Sequence, residues 1–227
     1  TPSSSSAASD VYKRQNIIFD RIHCFSSRST YCNDKNKNNN IFNYGTSLMD
    51  ISKKYNVIYA DPPWSFKTYS DKGKDRSPEK HYSVMTFKDI CNMPVNNIAN
   101  DNSVLLMWVI DPLLDKAFEV IKAWGFKYKT VAFTWAKTNM KSDGFFTGLG
   151  YWTRGNPEMC LLATKGKPKR ISKSVPQLIV EKRREHSRKP DIMYSHIENL
   201  LEGPYIEMFA RQQRNGWDQY GNEVNKW

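Results

Sequence analysis

Four apolar residues, Val57-Ile58-Tyr59-Ala60, run straight into Asp61-Pro62-Pro63, and this junction restricts the fold more than any other stretch of the chain. Consecutive prolines fix φ and supply no backbone N–H, so neither a helix nor a sheet ladder continues through them. A short apolar run bounded by such breakers predicts a buried parallel strand that ends in a rigid turn. Residues 103–109 repeat the apolar character. The longest apolar run, residues 104–110, is strand-sized and far short of the roughly 18 to 20 apolar residues that a membrane-spanning helix requires.

The rest of the chain keeps the same alternation. Residues 65–82 are polar and charged, with Gly73 and Pro78, and read as a long loop followed by a short helix near 86–92. Leu113, Ala117, Val120, Ile121 and Trp124 fall near helical spacing between Pro112 and Gly125, which predicts a surface helix. Residues 129–136 and 158–164 read as strands around a Gly-containing loop at 137–150. An amphipathic helix at 190–202, closed by Gly203-Pro204, precedes a last strand at 205–210. Alternating strands and helices predict an α/β fold with a mostly parallel central sheet. Ligands of such sheets sit at the carboxyl ends of strands, where Asp61 stands.

Composition adds the sign of the partner. Of 227 residues, 34 are Lys or Arg and 23 Asp or Glu, a net charge of +11 that favours an anionic partner such as nucleic acid. Residues 165–189 hold ten basic and two acidic residues, which is all of the net charge outside the first 48. Alone, such a run reads as a solvated loop. Interleaved with Val175, Leu178, Ile179 and Val180, it also reads as an ordered basic ribbon for phosphate contact. Cysteines at 24, 32, 91 and 160 form no CxxC pair and histidines number four, so neither a zinc site nor a disulfide framework is expected. Reduced thiols and the lack of a secretory leader pattern point to a cytoplasmic protein, and no metal is expected.

Residues 1–48 read as foreign to the domain. The first nine are Ser-rich, and Asp10-Val11-Tyr12-Lys13-Arg14-Gln15 back-translates as GAT GTG TAT AAG AGA CAG, which resembles a transposase adapter used in sequencing libraries. The segment that follows is rich in Asn and Ser without period 2 or 3.6, which favours disorder. Met49 then reads as the natural start, with 1–48 a disordered, artefactual or translated leader and 49–227 one domain. The competing reading is a flexible basic tail that helps to hold nucleic acid.

Asp61-Pro62-Pro63-Trp64 is joined by Leu106-Met107-Trp108, Thr134-Trp135-Ala136-Lys137-Thr138-Asn139, Gly150-Tyr151-Trp152-Thr153-Arg154, Glu158-Met159-Cys160-Leu161, Ser187-Arg188-Lys189-Pro190 and Ile206-Glu207-Met208-Phe209-Ala210-Arg211. In content and order these segments resemble the N6-adenine methyltransferases with the DPPW signature, the MT-A type. That group includes eukaryotic messenger-RNA adenosine methyltransferases and many phage and bacterial DNA adenine methyltransferases. The resemblance spans nearly all of residues 55–223 and implies a Rossmann-like, S-adenosylmethionine-dependent methyltransferase fold with helices on both faces of the sheet.

It further implies catalytic roles for Asp61, Pro62, Pro63 and Trp64, with Asp61 and the Pro62 carbonyl accepting hydrogen bonds from the adenine amine and Trp64 stacking on the base. S-adenosylmethionine would be held by Asp61, Lys189, Glu207, Phe209, Arg211, Arg214, Asn222 and Glu223. The substrate contacts expected are Trp64, Tyr82, Lys137, Asn139, Tyr151, Trp152 and Arg154, with Lys167, Lys169 and Arg170 from the basic ribbon. Blandly, Trp108, Trp124, Trp135 and Trp152 are packing residues. Ala210, Gln212-Gln213-Arg214 and Pro157 depart from the eukaryotic pattern.

The substrate expected is DNA from a phage or bacterial setting. RNA methylation and a catalytically silent nucleic-acid-binding partner subunit are the alternatives, and a homodimer or a second subunit is the protein partner considered.

Overall fold

The structure is a computed structural model that describes residues 41–44, 47–65, 85–185 and 187–226. Tyr82, the loop around it and the adapter-like segment lie outside the described residues.

A seven-stranded sheet carries the domain. Its strands are β3 (Tyr55–Ala60), β4 (Ala99–Val109), β5 (Lys127–Thr138), β6 (Glu158–Lys165), β7 (Leu178–Lys182), β8 (Tyr205–Met208) and β9 (Trp217–Tyr220), in the order β7-β5-β6-β4-β3-β8-β9. Only β6 runs against the rest, antiparallel to both β4 and β5. The mostly parallel α/β architecture expected from the sequence is therefore present.

Burial follows the pleat. On β3 and β4, Ile58, Ala60, Leu105 and Met107 face one layer, while Val57, Tyr59, Val104, Leu106 and Trp108 face the other. The first layer holds Ile90 of α1 (Phe87–Asn92), Val95 and Ile98 of α2 (Val95–Ile98), and Ala117, Val120 and Ile121 of α3 (Leu114–Ala123). The second holds Met193, Tyr194 and Ile197 of α4 (Ile192–Leu200). Strands buried on both faces read as continuous apolar runs, which is why residues 57–60 and 103–109 were legible. Thr86 caps α1 by accepting from the Asp89 N–H at 3.2 Å. Gly125 ends α3 at φ 82°, and a Cβ there would lie 2.7 Å from the Asn96 side chain.

Three elements differ from expectation. A hairpin of β1 (Ile41–Tyr44) and β2 (Ser47–Asp50) pairs Phe42 with Met49, so a boundary at residue 48 cuts through an ordered ladder. Met49 itself is buried in the first layer. Its ladder satisfies backbone groups and so left no period in the sequence. Residues 178–182 of the basic ribbon form edge strand β7, and β9 closes the opposite edge. Both are short, β7 mostly exposed and β9 part-buried, so cross-strand pairing rather than apolar content defines them. No helix among the described residues is long and apolar enough to cross a membrane.

Candidate active site

The polypeptide leaves β3 at Asp61 and tightens at once: the Trp64 N–H donates to the Pro62 carbonyl at 2.8 Å, and the Met85 N–H donates to the Pro63 carbonyl at 3.3 Å. Trp64 is 5% exposed, and its indole N–H donates to the Trp108 carbonyl at 3.1 Å. The Trp108 indole in turn donates to the Tyr59 hydroxyl at 2.7 Å. Three buried aromatics thus tie the tetrapeptide to the two central strands.

Two clefts meet at Asp61. One is lined by Tyr59, Lys189, Tyr194, Glu207, Phe209 and Gln212. The other is lined by Pro62, Trp64, Trp108, Lys137, Glu158 and Arg184. Asp61, Ser187, Arg188, Lys189 and Arg211 line both. In the described residues, Ser187 and Phe209 are the two non-glycine positions with positive φ, 63° each, and both border the first cleft. Such backbone costs about 1 kcal/mol or more per residue and concentrates at functional sites.

Charge alternates across the junction. Lys137 pairs with Glu158, Glu158 lies 3.4 Å from the Lys189 ammonium, and that ammonium is 2.7 Å from the Asp61 carboxylate. Burial pushes the Glu158 carboxyl up, but Lys189 and Lys137 outweigh it and hold the group down at about 2. Glu207 is the opposite case. Burial is the first cause that raises its carboxyl to about 7, with the Asp61 charge adding to it and the Tyr194 hydrogen bond of 2.8 Å working against it. Tyr194 also accepts from the Gln212 amide at 2.9 Å.

The expected residues separate into groups. Asp61, Lys189, Glu207, Phe209 and Arg211 come together around the first cleft. Glu223 supports them at one remove, its carboxylate 3.3 Å from Arg211. Arg214 is turned away onto α4, where it stacks 4.4 Å over Tyr194 and pairs with Glu198, and Asn222 is exposed. Neither borders a cleft.

Pro62, Trp64 and Lys137 line the second cleft. The Asn139 amide donates to the Asp143 and Phe145 carbonyls within its own loop. Tyr151, Trp152 and Arg154 are exposed on the loop between β5 and β6, so the packing reading fails for Trp152 and holds for the buried Trp108, Trp124 and Trp135.

Lys167, Lys169 and Arg170 are at the wrong pole. The Lys167 N–H donates to Asn102 near the start of β4, and from there to Val109 at the cleft is about 20 Å of strand. Being antiparallel, β6 carries the chain away from the site before the ribbon begins. The ribbon returns through β7 and delivers Arg183 and Arg184 to the second cleft instead. These two, with Glu158, Gln212, Tyr59, Tyr194, Ser187 and Arg188, are among the cleft residues that sequence reasoning missed. For Glu158 the available signal was its place at the head of a quoted segment that starts a strand. Among the described residues no group of His, Cys, Asp or Glu side chains is placed to hold a metal.

The MT-A70 family profile matches residues 55–223, which takes in every strand from β3 to β9. The chain belongs to the MT-A70 family. Among its relatives is the type II methyltransferase M.MunI of a Mycoplasma species, 33% identical over 190 residues, covering 76% of this chain and 78% of that protein. The MT-A70-like N(6)-adenosine-methyltransferase of Arabidopsis thaliana is 32% identical over 181 residues, 78% of this chain and 25% of the plant protein. The human N(6)-adenosine-methyltransferase catalytic subunit METTL3 is 30% identical over 184 residues, 78% of this chain and 29% of the human one. Membership meets the expectation of an adenine methyltransferase enzyme of the MT-A type.

Proposed function

We propose that this MT-A70 enzyme transfers the methyl group of S-adenosylmethionine to N6 of adenine in DNA. The observation that carries the reading is the meeting of two clefts at the Asp61 carboxylate, one for a methyl donor and one for a base.

The first cleft suits the donor. Lys189 offers an ammonium for the methionine carboxylate, Glu207 an acceptor for a ribose diol, and Phe209 an apolar wall. Bound there, S-adenosylmethionine supplies an electrophilic methyl group.

The chain's own residues prepare the acceptor. The exocyclic nitrogen of adenine is a weak nucleophile because its lone pair is delocalised into the ring. Hydrogen bonds from its two hydrogens to Asp61 and to the second lone pair of the Pro62 carbonyl draw that pair back onto nitrogen. The prolines and the Trp64–Pro62 turn hold both acceptors in place before the base arrives, and preorganisation of this kind is where electrostatic catalysis gains most. Trp64, being buried, acts through its edge and by bracing the turn rather than as a free stacking platform. Lys189 neutralises Asp61 until ligands compete for both.

DNA is favoured because the Mycoplasma type II enzyme aligns over 78% of its own length, whereas the plant and human adenosine methyltransferases align over about a quarter of theirs. The test is transfer of labelled methyl to double-stranded DNA, single-stranded DNA and RNA by the full chain and by Asp61→Ala. N6-methyladenine on DNA, reduced by about a hundredfold or more in the variant, is the expected result. Preference for RNA would replace the substrate. A folded protein that binds nucleic acid but transfers nothing would leave the partner-subunit alternative.

A further inference from the structure

We propose that Trp152 is a wedge that enters a nucleic-acid duplex and takes the stacking place vacated when the target adenine turns out into the second cleft. The inference rests on the reading of duplex DNA as substrate.

Trp152 is 99% exposed, whereas Trp64, Trp108, Trp124, Trp135 and Trp217 are buried. A fully solvated indole on an otherwise ordered loop has no packing role in the folded chain. The loop it crowns hangs from the site end of the sheet, since Lys137 near its first anchor and Glu158 at its second both line the cleft.

Its base is stapled. The Phe146 N–H donates to the Lys137 carbonyl at 2.8 Å, the Gly148 N–H to the Gly155 carbonyl at 2.7 Å, and the Asn156 amide to the Lys137 and Phe146 carbonyls. Its tip is equally constrained, because a Cβ on Gly150 would fall 2.0 Å from the Thr153 carbonyl. The turn of 150–153 therefore closes more tightly than any side chain at 150 would permit, and it presents Trp152 at its apex.

The surroundings select the occupant. Arg154 is exposed two residues along, the Arg183 guanidinium lies 4.1 Å over the Phe146 ring, and Arg184 borders the cleft. A planar apolar group exposed on a loop whose Phe146 lines a cleft that reaches a carboxylate, with arginines on the same loop and along that cleft, is complementary to stacked bases between phosphates. Extruding a base from a duplex leaves its neighbours and its partner unstacked, and an inserted indole offsets that loss.

The experiment measures initial methylation rates of the full chain, Trp152→Ala and Trp152→Phe on native and heat-denatured forms of the same kilobase-length DNA. Trp152→Ala is expected to lose about tenfold to a hundredfold on native DNA, the worth of one base–aromatic stack, and about twofold or less on the denatured form, with Trp152→Phe recovering most of the loss. Equal loss on both forms, or none on native DNA, overturns the wedge while leaving the methyltransferase reading intact. A loss accompanied by a change in sedimentation mass assigns the residue to a contact between copies and also overturns it. Wild-type protein inactive on both forms overturns the DNA reading, and the wedge with it.

Discussion

The Lys189 ammonium lies 2.7 Å from the Asp61 carboxylate, joining a loop before α4 to the end of β3 across 128 positions of sequence. The same ammonium is 3.4 Å from Glu158 and 5.4 Å over the Trp108 ring. One cation therefore bridges carboxylates of both clefts. Lys189→Met leaves two carboxylates facing each other and removes the partner offered to the methionine carboxylate. Cofactor affinity, measured by calorimetric titration with S-adenosylhomocysteine, is expected to fall about tenfold or more. Lys189→Arg should recover part of it, and an unchanged affinity in Lys189→Met would remove Lys189 from the cofactor site.

Glu158 makes stability depend on acid pH. Its folded carboxyl sits at about 2 against an ordinary 4.5, so the stabilisation is present above pH 4.5 and is lost as pH falls towards 2. In Glu158→Gln that component is absent. Urea unfolding at pH 3, 5 and 7 should show the wild type ahead of the variant at pH 5 and 7, with the gap narrowing at pH 3. A gap that is constant across the three would contradict the ion-pair assignment.

Glu207 has the opposite sign. Its folded carboxyl is raised to about 7 from 4.5, so its contribution to stability is full below pH 4.5 and declines as pH rises through 7. Glu207→Gln, whose amide oxygen still accepts from Tyr194, should flatten stability across that window. Cofactor affinity should move the other way in the wild type, rising through pH 7 as the carboxylate becomes a full acceptor for ribose hydroxyls, and should be level in the variant. Titrations at pH 6 and pH 8 distinguish the two.

The aromatic relay has a structural cost of its own. Tyr59→Phe removes the acceptor of the buried Trp108 indole N–H, which lies 2.7 Å from the tyrosine oxygen. An unsatisfied buried donor costs about 1 to 3 kcal/mol, and chemical denaturation should register a loss in that range. Loss of less than about 0.5 kcal/mol would mean that the indole finds another acceptor.

Much of the site was legible because its determinants are local. The tetrapeptide 61–64 marks a strand end whatever surrounds it, and the two-sided apolar runs on either side mark the central strands. The order of the motifs brought Lys189, Glu207 and Phe209 to the same cleft as Asp61. The basic ribbon was misread because charge does not report direction. Residues 165–189 are one continuous basic run in sequence, yet Lys167 and Lys189 end at opposite poles of the sheet, since β7 lies between them and carries the chain back. Glu158 was passed over for the same reason, because whether a strand begins or ends at the site depends on its orientation.

The sequence by itself determined the family resemblance, the strand end at Asp61 and the alternation of strands and helices, because motifs, proline geometry and apolar periodicity are each written in a few neighbouring residues. Only the tertiary structure decided which cations reach the cleft, that Arg214 turns onto α4, and that Trp152 stands in water while the other described tryptophans are buried. Those outcomes follow from strand order and from the single antiparallel strand β6, which are set by how two faces of one sheet are covered at once and not by any segment alone.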